Sequence, residues 1–257
     1  MTIFNTSQDI SNNLREDTDQ TIAAASNSYE KISATVDSNH SQAQFSQTTG
    51  IILAGGRSRR MGQNKALLEI EGISIIERTF RSMNDLFSSV ILVTNTPDQY
   101  SFLPCPSVPD IYPNAGSIAG LHAGLCASST DRIFVVPCDM PFLNLSLIKD
   151  FCSKDDSSDA LVPISSKGIE PLHACYRSSC IDVLESALNN GEKQLLAFLR
   201  KVRTRYISVM GYQNQIDIER SFCNLNHPQE YENLRPYHSE GNLSKTSTNI
   251  SELTISL

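Results

Sequence analysis

A short apolar run, Ile51-Ile52-Leu53, leads straight into Ala54-Gly55-Gly56-Arg57-Ser58-Arg59-Arg60-Met61-Gly62-Gln63-Asn64-Lys65. Adjacent glycines let backbone N–H groups approach an anion closely, and the clustered arginines and lysine neutralise it. The segment therefore has the chemistry of a polyphosphate cradle at the end of a strand. A ligand loop leaving the carboxyl end of a buried strand is the signature of an open α/β sheet. Neither a Walker A loop nor a Rossmann Gly-x-Gly-x-x-Gly can be laid on these residues. An ordinary Gly-rich turn would account for Gly55-Gly56, but not for Arg60, Met61, Gly62 and Lys65 at their offsets.

The rest of the body reads the same way. Strand-like and helix-like periods alternate from residue 50 to 237, as expected of a mostly parallel sheet with helices on both faces. Strands are expected at Gly50–Leu53, Val90–Thr94, Arg132–Pro137, 159–164, 170–176 and 204–209. Ser74-Ile75-Ile76-Glu77 is a capping box, and the helix it opens places Ile75, Ile76, Thr79, Phe80 and Met83 on one face. A Pro-rich connection runs from Pro97 to Pro113. Ser117–Ser128 carries Gly120 and Gly124 at i, i+4, a small-residue face that lets a helix sit close on a sheet or ligand. Helices are also expected at 146–153 and over 178–200 with a break at Gly191. A final helix starts at Asn226-His227-Pro228, with proline in its first turn.

The ends differ in character. Residues 1–49 and 238–257 are rich in Ser, Thr, Asn and Gln and lack apolar periodicity, so both are expected to be disordered. They also hold most of the formal net charge of −7; the leader alone carries six acids against Arg15 and Lys31. The body from 50 to 237 is thus near neutral without a basic face, which argues against nucleic acid as a partner. No signal-peptide pattern opens the chain and no aliphatic run spans a bilayer, so a cytoplasmic protein without membrane contact is expected. Seven scattered cysteines without a Cys-x-x-Cys pair read as reduced thiols, with neither disulfides nor a zinc site.

Asn95, Asp110 and Asp139 all follow expected strands or the connections that leave them, so they share the crevice of the 54–65 loop. Asp139, flanked by Pro137 and Pro141, is a stiffly held hard oxygen donor suited to Mg²⁺ on nucleotide phosphates. His173 lies on an alternating strand and reads as a core residue more readily than as a base.

Leu-Ala-Gly-Gly-x-x-x-Arg-Met-Gly-x-x-Lys at 53–65 resembles the molybdenum cofactor guanylyltransferases, within the NTP-transferase α/β proteins. The resemblance extends over Gly50 to about Pro236. Glu170–Tyr176 resembles the family's "P-L-x-A-x-Y" strand, and Phe222–Pro228 its "F-x-N-x-N-T-P" segment. Ser117 stands where the family usually has proline, and His227 replaces a threonine.

The resemblance implies a three-layer Rossmann-like nucleotidyltransferase fold. It implies GMP transfer from GTP to the terminal phosphate of molybdenum-molybdopterin, with Mg²⁺ as cofactor and with molybdenum insertion proteins and recipient molybdoenzymes as partners. It places Leu53, Ala54 and Gly55 on guanine, Lys65 on phosphate, Asn95 and Asp110 on the nucleoside, and Asp139 on magnesium and nucleotide. Charge and position add Arg60 to Lys65 and Asp139 as a catalytic group.

Competing readings are a molybdopterin cytidylyltransferase or sugar-phosphate nucleotidylyltransferase of the same fold, and a non-catalytic nucleotide-binding adaptor. The cytidylyl and sugar enzymes usually read Leu-Ala-Ala-Gly where this chain has Gly55. A silent adaptor has no chemical need for both Lys65 and Asp139.

Overall fold

The structure, a computed structural model, describes residues 45–55, 64–154 and 157–225. The first strand sets the pattern. Strand β1 (Thr48–Leu53) is buried along its whole length and lies between β4 (Val90–Val93) and β6 (Arg132–Pro137), parallel to both. The main sheet continues through β5 (Ser107–Val108) beyond β4 on one side. On the other side of β6 come β9 (Ala174–Arg177), β7 (Ala160–Ser165) and β10 (Thr204–Ser208). Only β9 and the short β8 (Gly168–Ile169) run antiparallel to their neighbours.

Because β1, β4 and β6 are covered on both sides, they are continuous apolar runs, yet their side chains still alternate between faces. Ile52, Leu92, Phe134 and Val136 enter one core cluster; Ile51, Leu53, Ile91, Ile133 and Val135 enter the other. The first cluster is roofed by α1 (Ile75–Asn84) and α3 (Leu145–Ser153). The second is roofed by α2 (Ser117–Ala127), α4 (Ile181–Asn189) and α5 (Leu195–Leu199). This is the three-layer α/β arrangement, with a mostly parallel mixed sheet.

Helix α1 starts as its capping box requires, with Ser74 Oγ accepting from the Glu77 N–H at 3.3 Å, and it buries Ile75, Ile76, Thr79, Phe80 and Met83. Each large apolar side chain so buried is worth about 1.5–3 kcal/mol. The small face of α2 serves the sheet: a methyl added at Gly124 would come 2.8 Å from Ile51 Cγ2, and one at Gly120 would come 3.3 Å from Leu53 Cδ2. Those two glycines bring the helix directly onto β1. Gly191, at φ +76°, breaks the 178–200 helix where expected.

The structure differs from these expectations in five places. The first strand begins at Thr48, inside the stretch assigned to the leader, and Phe45 packs at 6.1 Å on Phe87 with its N–H bonded to Leu86 O. Apolar periodicity misses this because Thr48 and Thr49 are polar yet buried. The expected strand 170–176 starts only at Ala174, since Glu170–His173 forms a turn in which Pro171 has no N–H to give a ladder.

The Pro-rich connection contains β5. Between residues 65 and 74 lies an unexpected hairpin of β2 (Glu69–Ile70) and β3 (Ile73–Ser74), turned at Glu71-Gly72 with φ of 54° and 76°. Helix α6 (Gln215–Ser221) was also not expected, and the helix expected from Asn226 lies outside the described residues, as do residues 1–44 and 226–257. Among the described residues no helix is long and apolar enough to cross a membrane. All seven cysteines are free thiols.

Candidate active site at the carboxyl end of the sheet

Backbone bonds lace the loops at the carboxyl ends of four parallel strands into one rim. The Ala54 N–H donates to Val93 O at 2.8 Å, Thr94 N–H to Val108 O at 2.8 Å, and Cys138 N–H to Leu53 O at 3.0 Å. Leu53-Ala54-Gly55, Asn95, Asp110 and Asp139 therefore emerge side by side, which the sequence anticipates from their positions after strands. Leu53 and Ala54 are nearly covered, while Gly55 is exposed and a methyl added there would meet nothing within 4 Å among the described residues. Arg60, with Gly56 through Gln63, lies outside the described residues.

Asn95 and Asp110 hold each other by a reciprocal pair: Asn95 Nδ2 donates to Asp110 Oδ2 and the Asp110 N–H donates to Asn95 Oδ1, both at 2.9 Å. Partial burial raises the Asp110 carboxyl pKa and the Asn95 bond pulls it back.

Asp139 is held more tightly. Its neighbour Met140 offers its carbonyl to Thr79 Oγ1 on α1 at 3.2 Å, and its own carbonyl accepts from Leu225 N–H at 3.0 Å. The segment after α6 thus closes on the back of the site. Burial pushes the Asp139 carboxyl up, while a backbone bond within the residue and the nearby Lys65 ammonium pull it down. Among the described residues Asp139 Oδ1 is buried with no hydrogen-bond partner. A buried anionic oxygen left unpaired in this way is costly to the free protein and is an acceptor waiting for a cation or donor.

Lys65 starts a 3-10 turn, Lys65–Leu67, whose N-cap Asn64 was not singled out by the sequence reading. Asn64 Oδ1 accepts from Ala66 N–H at 3.2 Å, and Nδ2 donates to Gln99 Oε1 at 2.6 Å and Tyr100 OH at 2.8 Å. The only sequence signal was its residue type, a good N-cap before Lys-Ala-Leu. His173 proves to be core: it is 1% exposed and lies edge-on to Phe134 and Phe222 at 5.2 and 4.8 Å. Burial drives its pKa down to about 3. A ring held neutral and walled by phenyl groups does not reach a substrate.

An open α/β sheet with Leu53–Gly55, Lys65, Asn95, Asp110 and Asp139 about its carboxyl rim has the arrangement of a nucleotide-handling protein. The model of the MobA-like NTP transferase domain matches residues 50–205, more than half of the chain. A probable molybdenum cofactor guanylyltransferase of Pelotomaculum thermopropionicum is 36% identical over 184 residues, covering 72% of this chain and 90% of that protein. The molybdenum cofactor guanylyltransferase of Desulfosudis oleivorans is 34% identical over 198 residues, 76% of this chain and 98% of that one. Molybdopterin-guanine dinucleotide biosynthesis protein A from Archaeoglobus fulgidus superposes with a TM-score of 0.63 at 26% identity, over 72% of this chain and 96% of that one. The chain belongs to the molybdenum cofactor guanylyltransferase family of MobA-like NTP transferases.

Proposed function

We propose that the protein transfers GMP from GTP to the terminal phosphate of molybdenum-molybdopterin, making the guanine dinucleotide form of the cofactor and releasing pyrophosphate. The observation that carries this reading is the buried, unpaired Asp139 Oδ1 beside Lys65, on a rim shared with Leu53–Gly55, Asn95 and Asp110. A phosphate monoester is already a nucleophile at neutral pH, so the reaction requires no activated serine or cysteine. An oxygen of the acceptor phosphate forms a bond to the α-phosphorus of GTP, the bond from that phosphorus to the bridging oxygen breaks, and pyrophosphate leaves with the electron pair.

In this reading the backbone of Leu53–Gly55 meets the guanine, Asn95 and Asp110 hold the nucleoside, and Lys65 and Arg60 neutralise the phosphates. Catalysis is positioning with charge stabilisation. Asp139 suits Mg²⁺, because the ion takes hard oxygens and commonly binds through one or two carboxylates plus substrate phosphates. Among the described residues no group of three or more His, Cys, Asp or Glu could hold a metal unaided, which fits a site completed by the nucleotide. When bound, Mg²⁺ supplies charge neutralisation on the phosphates.

A cytoplasmic setting, supported by the free thiols, belongs to the same proposal. So does delivery of the product through molybdenum insertion proteins to recipient molybdoenzymes, with no part for membrane or nucleic acid. The folded unit in this reading runs from about Phe45 through the family segment ending near Pro236, with polar ends beyond it. The test is to mix the protein with GTP, Mg²⁺ and molybdopterin, and to follow pyrophosphate and the mass of the dinucleotide. Release with GTP in preference to CTP is expected. Preference for CTP would make it a cytidylyltransferase, and binding without release would make it an adaptor.

A further inference from the structure

Lys65 opens a three-residue turn, and where its side chain starts from depends on how that turn is held. The residue before it is one of the groups that hold the turn. Asn64 spends its carbonyl oxygen on the Ala66 N–H, which caps the turn, and both its amide contacts on the turn Pro97–Tyr100, which follows Asn95. Tyr100 is itself an anchor: it is buried and packs in the core cluster that contains Ala54 and Ala66. Cys138, the neighbour of Asp139, packs against that same cluster. Asn64 is therefore a node at which the lysine turn meets the turn that follows Asn95.

We infer that Asn64 is a positioning residue for nucleotidyl transfer, acting through Lys65 by locking its turn to Tyr100 and Gln99. The role needs one acceptor and one donor group on a short stem, which an asparagine supplies. An aspartate keeps the acceptor for the Ala66 N–H and can accept a hydrogen bond from the Tyr100 hydroxyl, with Gln99 turning its amide to donate. Alanine keeps neither function.

The inference rests on the proposed transfer reaction, and the measurements separate the two. Turnover and nucleotide affinity are measured for the full chain, for Asn64→Ala, Asn64→Asp, Lys65→Met and the double variant Asn64→Ala/Lys65→Met. Displacing a reacting group by about an ångström can cost roughly a hundredfold, so Asn64→Ala should lower kcat by about ten- to a hundredfold. Its KM for GTP should move much less, and its thermal midpoint should stay close to that of the wild type. Asn64→Asp should recover most of the loss. In the Lys65→Met background the alanine change should cost less than about twofold, because the group it positions is gone.

Additive losses across the cycle would overturn the inference, as would wild-type kcat in Asn64→Ala or an aspartate variant no better than alanine. Should Asn64→Ala fail to fold, Tyr100→Phe removes only the hydroxyl that receives the Asn64 amide, and its coupling to Lys65→Met decides the matter in the same way. A wild type that turns over CTP but not GTP overturns the base assignment and leaves the cycle to be read with CTP. A wild type inert with both overturns the two together.

Discussion

The two ends of the same sheet treat polar groups in opposite ways. At the amino ends of the parallel strands, Thr49 Oγ1 bonds Thr130 Oγ1 at 2.8 Å and Ser128 Oγ at 3.0 Å, and Arg132 donates to the carbonyls of Cys152 and Lys154. Asp159 there receives Arg203 through two side-chain bonds of 2.9–3.0 Å and through its N–H at 3.0 Å, and takes Ser179 Oγ at 2.7 Å. Arg203 foremost holds the Asp159 carboxyl well below the usual carboxylate range, against a smaller opposing push from burial. At the carboxyl ends, burial instead raises both Asp110 and Asp139, and among the described residues Asp139 keeps an oxygen unpaired. One end has closed its polar groups on each other and contributes stability. The other pairs Asp110 with Asn95 but leaves Asp139 in an unfavourable state that a cationic ligand would relieve, a feature found often at functional sites.

The sharpest way to break this contrast is Asp139→Asn. The change keeps shape and removes charge, so turnover should fall by about two to four decades, or roughly 3–5 kcal/mol of transition-state stabilisation. Binding of GTP in EDTA should alter far less. The folded-state pKa of Asp139 lies above its unfolded value, so folding favours the protonated acid, and ionisation costs stability as pH rises through the raised value. Without metal, the variant should therefore melt no lower than the wild type at pH 7. A variant with near wild-type turnover, or one that melts well below the wild type, would place Asp139 with the structural carboxylates.

Asp159→Ala makes the opposite test at the other end. Charge-assisted bonds of this kind are worth about 1.5–3 kcal/mol each but are not additive, and the Arg203 side chain is 70% exposed, so a loss of about 2 kcal/mol is expected. The folded pKa of Asp159 is depressed, so its contribution is present above the unfolded value of about 4 and fades as pH falls through the folded one. The gap in melting temperature between wild type and variant should thus narrow in acid, while kcat at pH 7 stays unchanged. A drop in kcat at constant stability would show that the amino end is wired to the site.

The difference between the ends also marks what the sequence made legible. The candidate site residues stood out, because Gly55 and Lys65 belong to one spaced motif and Asn95, Asp110 and Asp139 follow expected strands or the connections that leave them. Long periodic elements did too: all five residues expected on the inner face of α1 are buried. Short pieces stabilised by their neighbours were missed. Ser107–Val108 is a strand only because β4 lies beside it, and between Pro106 and Pro109 it reads as a connection. Glu71 at φ 54° carries a hairpin that glycine or asparagine would have advertised. Asn64 was overlooked because its value lies in contacts with residues 35 and 36 positions away, which no local pattern encodes.

The gentlest probe is Gly55→Ala, which asks whether the rim of β1 reads the base or merely lies near it. The residue is exposed and an added methyl meets nothing within 4 Å among the described residues, so the effect expected falls on the ligand. If backbone at Leu53–Gly55 closes on guanine, the methyl stands between them. GTP affinity should then weaken by about tenfold, or about 1.4 kcal/mol. The one-ring base of CTP needs less of that space and should lose less. Calorimetric titration of both nucleotides, with the melting temperature as a control for folding, gives the comparison. Equal losses would move base recognition away from Gly55 and leave that part of the rim to the phosphates, where the charge of Lys65 already lies.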